Sequence, residues 1–200
     1  MNDILKNNAR EIGRHLRSGR FEATPGGILI DRAGMNLLAN GVFEDTLYRN
    51  GEADTGISPN MVVDEGLIHM LNVVFAGTAQ ITQWYIALFS GNVTPQADWK
   101  ASTVVAQATE LVGYPGARPA FTAPATTTKS ISNAASEASF AFDDAGPYTA
   151  RGALLISSSA KGSTTGVLMA GTRFASDRTG LNSPDLLGVR YTLTAADAGS

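Results

Sequence analysis

The hydrophobic period of this sequence changes at Thr82, from the 3.6 residues of a helix to the 2 residues of a strand. The run Gln83–Phe89 is apolar on both faces, which is typical of a central strand that is covered on both sides. The pattern predicts a mainly β fold, a β-sandwich or jelly-roll-like domain over residues 80–195. Further β-like runs, separated by turn residues, are Pro119–Thr122, Thr127–Ile131, Ala138–Phe142, Gly152–Ser158, Gly166–Arg173 and Gly188–Thr194.

Two segments have a helical pattern. Residues 59–76 are predicted to form a helix with Ser58 as its N-cap, Pro59 at its first position and a stop at Gly77. This helix is expected to pack on one side of the β domain through a wide apolar face. The face comprises Val63, Leu67, Met70, Leu71 and Val74. The stretch from Trp99 to Val112 is a candidate for a second, short helix.

Residues 1–57 are predicted to be an N-terminal arm, and residues 58–200 a β-rich domain with a leading helix. Within the arm, residues 3–18 are predicted to form an amphipathic helix, because apolar residues recur every three or four positions. A helix this short is marginal alone in water, so we expect it to become ordered on a partner. Residues 20–57 are predicted to be extended or to form small hairpins. Their turn signals are Pro25-Gly26-Gly27, Asn40-Gly41 and Asn50-Gly51.

Charge is distributed unevenly along the chain. The formal net charge is −3, yet residues 1–20 hold five of the 15 Lys and Arg residues. Four of these form one face of the predicted helix and are the candidate partner-binding residues: Lys6, Arg10, Arg14 and Arg17. The face is open to three interpretations: a solvated surface, docking onto an acidic protein surface, or contact with packaged DNA. DNA ranks last, because no aromatic side chains lie among the basic ones to stack on bases.

The absence of cysteine excludes disulfides and thiolate metal sites. Apolar stretches are far shorter than the ~20 residues that cross a bilayer, and no signal peptide is recognisable, so a membrane is not an expected partner. These features fit a protein made in a reducing cytoplasm.

Residue types that carry catalysis or bind metals occur without the necessary arrangement. The two histidines, His15 and His69, lack zinc-binding spacing, and His69 is predicted to be an ordinary helix residue. Lys161–Gly166 has the composition of a phosphate loop, but no helix is predicted after it, which favours a hairpin loop. Asp143-Asp144 indicates a turn, with calcium binding as the alternative. No catalytic residue, cofactor or metal site is therefore predicted, and the chain is expected not to be an enzyme.

Several segments, taken in order, resemble small structural proteins of tailed bacteriophage virions. A G-L-x-x-x-L helix followed by a T-x-W-Y-x-x-L strand is matched here by Gly66–Leu71 and Thr82–Leu88. Glu110–Tyr114, Arg118–Phe121 and Leu155–Gly166 resemble the same family, so the resemblance covers residues 60–195. It implies a virion component that is assembled in the bacterial host cytoplasm.

The resemblance leaves the position in the virion open. A capsid decoration or cement protein would form a homo-oligomer and bind the major capsid protein and sister copies by surface burial; a tail, adaptor or fibre component is the alternative. A further alternative of another class is a glycan-binding β-sandwich module. That module would need exposed aromatic side chains, for which Trp99 and Tyr148 are the candidates.

Overall fold

The structure, a computed structural model, describes residues 21–23, 29–31 and 37–197, with side chains over residues 39–196. The chain divides into two compact units, Met1–Ala39 with Ala195–Ser200, and Asn40–Thr194.

In the first unit, strand β1 (Phe21–Ala23) pairs antiparallel with strand β2 (Leu29–Asp31). Phe21 lies opposite Asp31, and Ala23 lies opposite Leu29. This antiparallel pair agrees with the small hairpins predicted within residues 20–57. The turn predicted at residues 25–27 and the helix predicted over residues 3–18 lie outside the described residues.

From residue 37 onward, strands are interspersed with helices. In chain order the elements are β3 (Leu37–Arg49), β4 (Glu52–Pro59), β5 (Met61–Val62), α1 (Asp64–Phe75), β6 (Trp84–Phe89), α2 (Ala101–Ala108), β7 (Ala120–Phe121), β8 (Ser130–Ser132), β9 (Ala138–Ala141), β10 (Tyr148–Ile156), β11 (Leu168–Leu181) and β12 (Leu186–Asp197).

The strands of this part of the chain form two antiparallel sheets. The first has the order β5-β11-β10-β6-β7, and the second has the order β4-β3-β12-β8, with β9 pairing further along β12. On the central strand β10, Leu154 lies between Gly171 of β11 and Ala87 of β6. The predicted mainly β, sandwich-like domain is confirmed, and each β-like run predicted after residue 118 overlaps one of the strands β7 to β12.

The main core lies between the two sheets, because alternate residues of each strand point inward. Tyr191 of β12 packs on Phe43 of β3 with their ring centroids 4.5 Å apart. Ile86 and Leu88 of β6 are fully buried in this core. Other inward side chains are Leu47, Phe140, Ala153, Leu155, Ala170, Phe174, Leu187 and Val189.

Helix α2 covers the outer face of the first sheet. Ala87 and Phe89 alternate with Ile86 and Leu88 along β6, so they point to this side. They pack against Val104 of α2 and its neighbours. The strand that is apolar on both faces is thus buried on both faces, as its sequence predicts. The helix predicted from Trp99 to Val112 is the shorter α2.

Residues 40–57 lie in the sandwich, whereas the sequence assigned them to the arm. The predicted boundary between residues 57 and 58 falls inside β4, and β3 supplies Phe43 and Leu47 to the core. The predicted turn at Asn50-Gly51 is confirmed, with positive φ angles of 54° and 81°. The predicted turn at Asn40-Gly41 is wrong, since both residues lie inside β3. A Cβ on Gly41 would lie 2.5 Å from the Tyr191 hydroxyl oxygen, so this glycine permits close packing instead of a turn.

Helix α1 begins at Asp64, and the predicted start at Pro59 with Ser58 as N-cap is wrong. Pro59 is the last residue of β4, and its carbonyl accepts a hydrogen bond from Thr172 Oγ1 at 2.8 Å. The buried Ser58 hydroxyl accepts one from the Ala175 amide at 2.9 Å. Both contacts hold the segment against β11, so strand contacts override the capping signal.

Candidate assembly surface

Helix α1 begins and ends at well-defined backbone contacts. The Asp64 amide donates to the Ala97 carbonyl at 2.9 Å, and the carboxylates of Asp64 and Glu65 lie in the first turn, where the helix dipole favours negative charge. At the other end Gly77 has a φ of +69°, and the Thr78 amide donates back to the Asn72 carbonyl at 3.1 Å. This αL stop at Gly77 confirms the predicted end of the helix.

A narrow face of α1 docks on the first sheet. Gly66 is buried there, and a Cβ on it would lie 2.5 Å from the Met169 carbonyl oxygen of β11. The Glu65 carboxylate accepts hydrogen bonds from the Leu168 amide at 2.7 Å and from the Ala101 amide at 2.8 Å. One side chain therefore links α1 to both β11 and the start of α2.

The opposite face of α1 is apolar and points to solvent; we call it the α1 face. Its members are Leu67, Ile68, Leu71, Val74 and Phe75, and their exposed fractions rise from 37% at Leu67 to 81% at Phe75. Three of the five apolar residues predicted to pack on the domain, Leu67, Leu71 and Val74, are thus exposed. The prediction that this helix buries its wide apolar face is wrong, because Gly66 brings a narrower, different face to the sheet.

The α1 face lies within a long uncharged segment. Residues 66–97 contain no Asp, Glu, Lys or Arg, although charged residues make up 16% of the chain. The cores of protein–protein interfaces are depleted of charge in the same way. The uncharged segment is the sequence signal that could have identified this surface. Hydrophobic periodicity alone did not reveal the surface.

A groove of about 240 Å³ lies beside the α1 face. Half-buried His69, Met70 and Val73 of α1 line one wall, and Trp84 at the start of β6 lines another. His69 meets Trp84 edge to face, with ring centroids 5.8 Å apart. Val74 belongs to both the groove and the α1 face, so the two adjoin. Large exposed apolar patches on monomers often mark interaction sites.

The candidate partner-binding residues Lys6, Arg10, Arg14 and Arg17 lie outside the described residues. His69 is a helix residue packed on Trp84, as predicted. His69 lines the groove beside the α1 face.

The loop at Lys161–Gly166 is a hairpin connection between β10 and β11, as predicted. The Lys161 ammonium donates to the carbonyl oxygens of Tyr114 and Val112, and it lies 4.3 Å from the Tyr114 ring centroid. Glu110, whose side chain is 3% exposed, accepts two hydrogen bonds from Arg118, at 2.7 and 2.8 Å, and one from the Gly162 amide at 2.6 Å. These contacts fix the loop to the segment that follows α2.

The turn at Asp143-Asp144 uses its first carboxylate internally. Asp143 Oδ1 accepts hydrogen bonds from the Ala145 amide at 3.0 Å and from the Tyr148 hydroxyl at 2.7 Å. The hydrogen bond to Asp143 raises the pKa of the Tyr148 phenol. Among the described residues, no group of three or more His, Asp or Glu side chains is placed to hold a metal ion.

The two aromatic residues proposed for glycan binding do not form a sugar platform. Trp99 is only 4% exposed and packs edge-on against Phe89, with ring centroids 6.3 Å apart. Tyr148 is half-buried, and its ring lies 6.1 Å from that of Phe142. Trp99 is therefore part of the hydrophobic cluster between α2 and the outer face of the first sheet, where a sugar cannot reach it.

An ion pair is buried between the sheets. Arg178 of β11 donates to the Asp45 carboxylate of β3 at 2.5 Å, and the two side chains are 6% and 1% exposed. Burial raises the pKa of Asp45, while the Arg178 hydrogen bond and charge act in the opposite direction. Arg178 also reaches Asp54 of β4, so this pair joins both sheets.

No protein-family model matches the chain, and no curated protein matches it significantly. In the described part of the chain, the helices are too short or too polar to span a bilayer.

Proposed function

We propose that this chain is a structural protein of a tailed-phage virion, a decoration or cement protein of the head shell that acts by protein–protein contact. Its partners are the major capsid protein and sister copies. The sandwich is a stable scaffold, and the α1 face is the surface through which it assembles.

The observation that carries the proposal is the uncharged, exposed α1 face. Burying apolar surface contributes about 25 cal/mol per Å². A partner that covered the exposed apolar face of α1 would therefore gain a large part of its binding free energy from that burial. Ile68 and Phe75 are 57% and 81% exposed, so most of their apolar surface is available to a partner. Repetition of one weak contact on a symmetric shell adds avidity, so even a small face supports stable decoration.

The resemblance at Gly66–Leu71 and Thr82–Leu88 supports the same proposal from the sequence, because these two segments supply part of the α1 face and part of its groove. Lys6, Arg10, Arg14 and Arg17 are proposed as a second, electrostatic contact on the partner. No sugar-binding surface is proposed, since Trp99 lies in the core.

Quantitative mass spectrometry of purified particles tests the proposal. The ratio of this chain to the major capsid protein measures its copy number. A decoration protein is expected at a ratio of the same order as the capsid protein itself. A handful of copies per particle would replace the decoration function by that of a tail, adaptor or fibre component, and absence of the chain from the particle would overturn the virion proposal.

A further inference from the structure

We infer that the α1 face binds the α1 face of a second copy, so that the chain forms a two-fold dimer before or during assembly. This inference names a partner for the surface on which the proposed function rests. Three observations on that surface favour a copy over an unrelated protein: its area, its charge and its shape.

The area is sufficient for a weak dimer. If a large side chain offers on the order of 150–200 Å², the exposed fractions of the five residues sum to roughly 500 Å². Two copies would then bury about 1,000 Å² from these side chains alone, near the lower limit for specific interfaces. The groove walls and the uncharged segment after α1 add to this area. The dimer is therefore expected to be concentration-dependent.

The five residues of the α1 face are uncharged, so two copies of this face can meet without electrostatic repulsion. An isologous contact sets each residue of a patch near its own copy, so a charged patch would repel its partner. The segment 66–97 carries no charge. Two carboxylates lie at the N-terminal margin of the helix: exposed Asp64, and half-buried Glu65, which accepts hydrogen bonds from the Leu168 and Ala101 amides. A strongly charged partner would have to lose hydration here without gaining an ion pair.

The shape of the surface includes both a projection and a recess. Phe75 is the most exposed large apolar side chain of the described residues, at the C-terminal end of α1. The groove of about 240 Å³ lies on the flank of the same helix. Apolar cavities of about 150 Å³ accept a benzene molecule, so this groove has room for a phenyl ring. A two-fold axis near the end of α1 would place Phe75 of each copy in the groove of the other.

Sedimentation velocity of the purified full chain over a wide concentration range tests the dimer. Wild type is expected to shift from monomer to dimer as concentration rises. Phe75→Ala and Ile68→Asp are each expected to weaken dimerisation at least about tenfold. The matched control is Ile57→Asp, because Ile57 is 63% exposed against 57% for Ile68 but lies on β4. This control should dimerise like wild type.

Fluorescence of Trp84 supplies a second readout. Because Trp84 lines the groove and the chain's other tryptophan, Trp99, is buried, dimerisation should shift the emission of wild type and of Ile57→Asp to the blue. Phe75→Ala should lack this shift. Near-ultraviolet circular dichroism confirms that each variant is folded, which is expected because the replaced side chains are exposed.

The outcomes separate this inference from the proposed function. A wild-type chain that is monomeric at every concentration overturns the dimer, as does a dimer that Phe75→Ala and Ile68→Asp leave unchanged. Wild type could be monomeric and still bind purified shells. If Ile68→Asp then loses this binding and Ile57→Asp keeps it, the shell protein binds the α1 face and the proposed function stands. If the chain dimerises through α1 but is absent from particles, the dimer stands and the proposed function does not.

Discussion

At the scale of single residues, two glycines decide how the elements meet. Gly41 lets the Tyr191 ring approach the backbone of β3, and Gly66 lets α1 approach β11. The sequence around each glycine does not reveal which distant atoms will approach it in the fold. The Asn40-Gly41 pair has the composition of a turn, and only the position of Tyr191, far along the chain, makes it a strand residue. Asn50-Gly51 has the same composition and does form a turn, since both of its residues have positive φ angles.

Gly66→Ala separates helix propensity from packing. Alanine would favour a solvent-exposed helix position by about 1 kcal/mol over glycine. Here the new Cβ would lie 2.5 Å from the Met169 carbonyl oxygen, so we expect α1 to shift and the protein to lose about 1–3 kcal/mol. Urea denaturation measures the change. Asn72→Ala, at an exposed position of the same helix, is the control and should be neutral or slightly stabilising. A stabilised Gly66→Ala would contradict the docking of α1 described above.

Arg178→Met tests the buried ion pair between the sheets. The substitution leaves the Asp45 carboxylate buried without its partner, which is expected to cost about 3–5 kcal/mol in urea denaturation. Replacing both residues, as Arg178→Met with Asp45→Leu, should recover most of this loss. Arg190→Met is the control, because its ion pairs with Glu44 and Glu137 are partly exposed and should contribute at most about 1 kcal/mol each. Equal losses of unfolding free energy in Arg178→Met and Arg190→Met would show that burial does not determine the cost of breaking an ion pair.

At the scale of elements, periodicity identified strands β6 to β12 and the two helices of the described residues, but it did not show which faces are covered. The 3.6-residue pattern places Leu67, Leu71 and Val74 on one side of α1, and this is correct. A stripe of this kind predicts burial only if a neighbour covers it within the same chain. The boundary errors have the same physical origin: contacts from Thr172 and Ala175 to Pro59 and Ser58, more than 100 residues earlier, keep residues 58 and 59 out of α1.

The connection between β11 and β12 should be acid-sensitive. Asp185 accepts two hydrogen bonds from Arg49 of β3, at 2.9 and 2.7 Å, and one from the Asn182 amide at 3.0 Å. The hydrogen bond from Arg49 lowers the pKa of Asp185 from its ordinary value of 3.8. A carboxyl whose pKa is lower in the folded state stabilises the fold above its unfolded pKa, and this contribution is lost as pH falls through the folded pKa.

Asp185→Asn is therefore expected to cost about 1–3 kcal/mol at neutral pH. The difference in unfolding free energy between wild type and variant should narrow as pH drops below the ordinary value of 3.8. Urea denaturation of both proteins at neutral and acidic pH measures this difference. A difference that stays constant into the acidic range would mean that the ionised carboxylate contributes nothing.

At the scale of the whole molecule, the proposed function involves two contacts with the shell, one through the α1 face and one through the basic residues Arg10, Arg14 and Arg17. Charge reversal of Arg10, Arg14 and Arg17 to Glu should weaken binding to purified shells less than Ile68→Asp does. Exposed ion pairs contribute about 0–1 kcal/mol each. Ile68→Asp instead removes apolar surface from the contact and places a carboxylate without an ionic partner in the interface. Co-sedimentation of each variant with shells measures the ranking, with Ile57→Asp as the control. The opposite ranking would make the basic residues the main anchor.

Cryo-electron microscopy of the intact particle, at a resolution that shows side chains, tests the central claim most directly. If the chain decorates the head through α1, sandwich-shaped density is expected over the shell, with the α1 face covered by protein and Ile68 and Phe75 in contact with a neighbour. Density in which the chain is held by other surfaces while α1 faces solvent in every copy would contradict it.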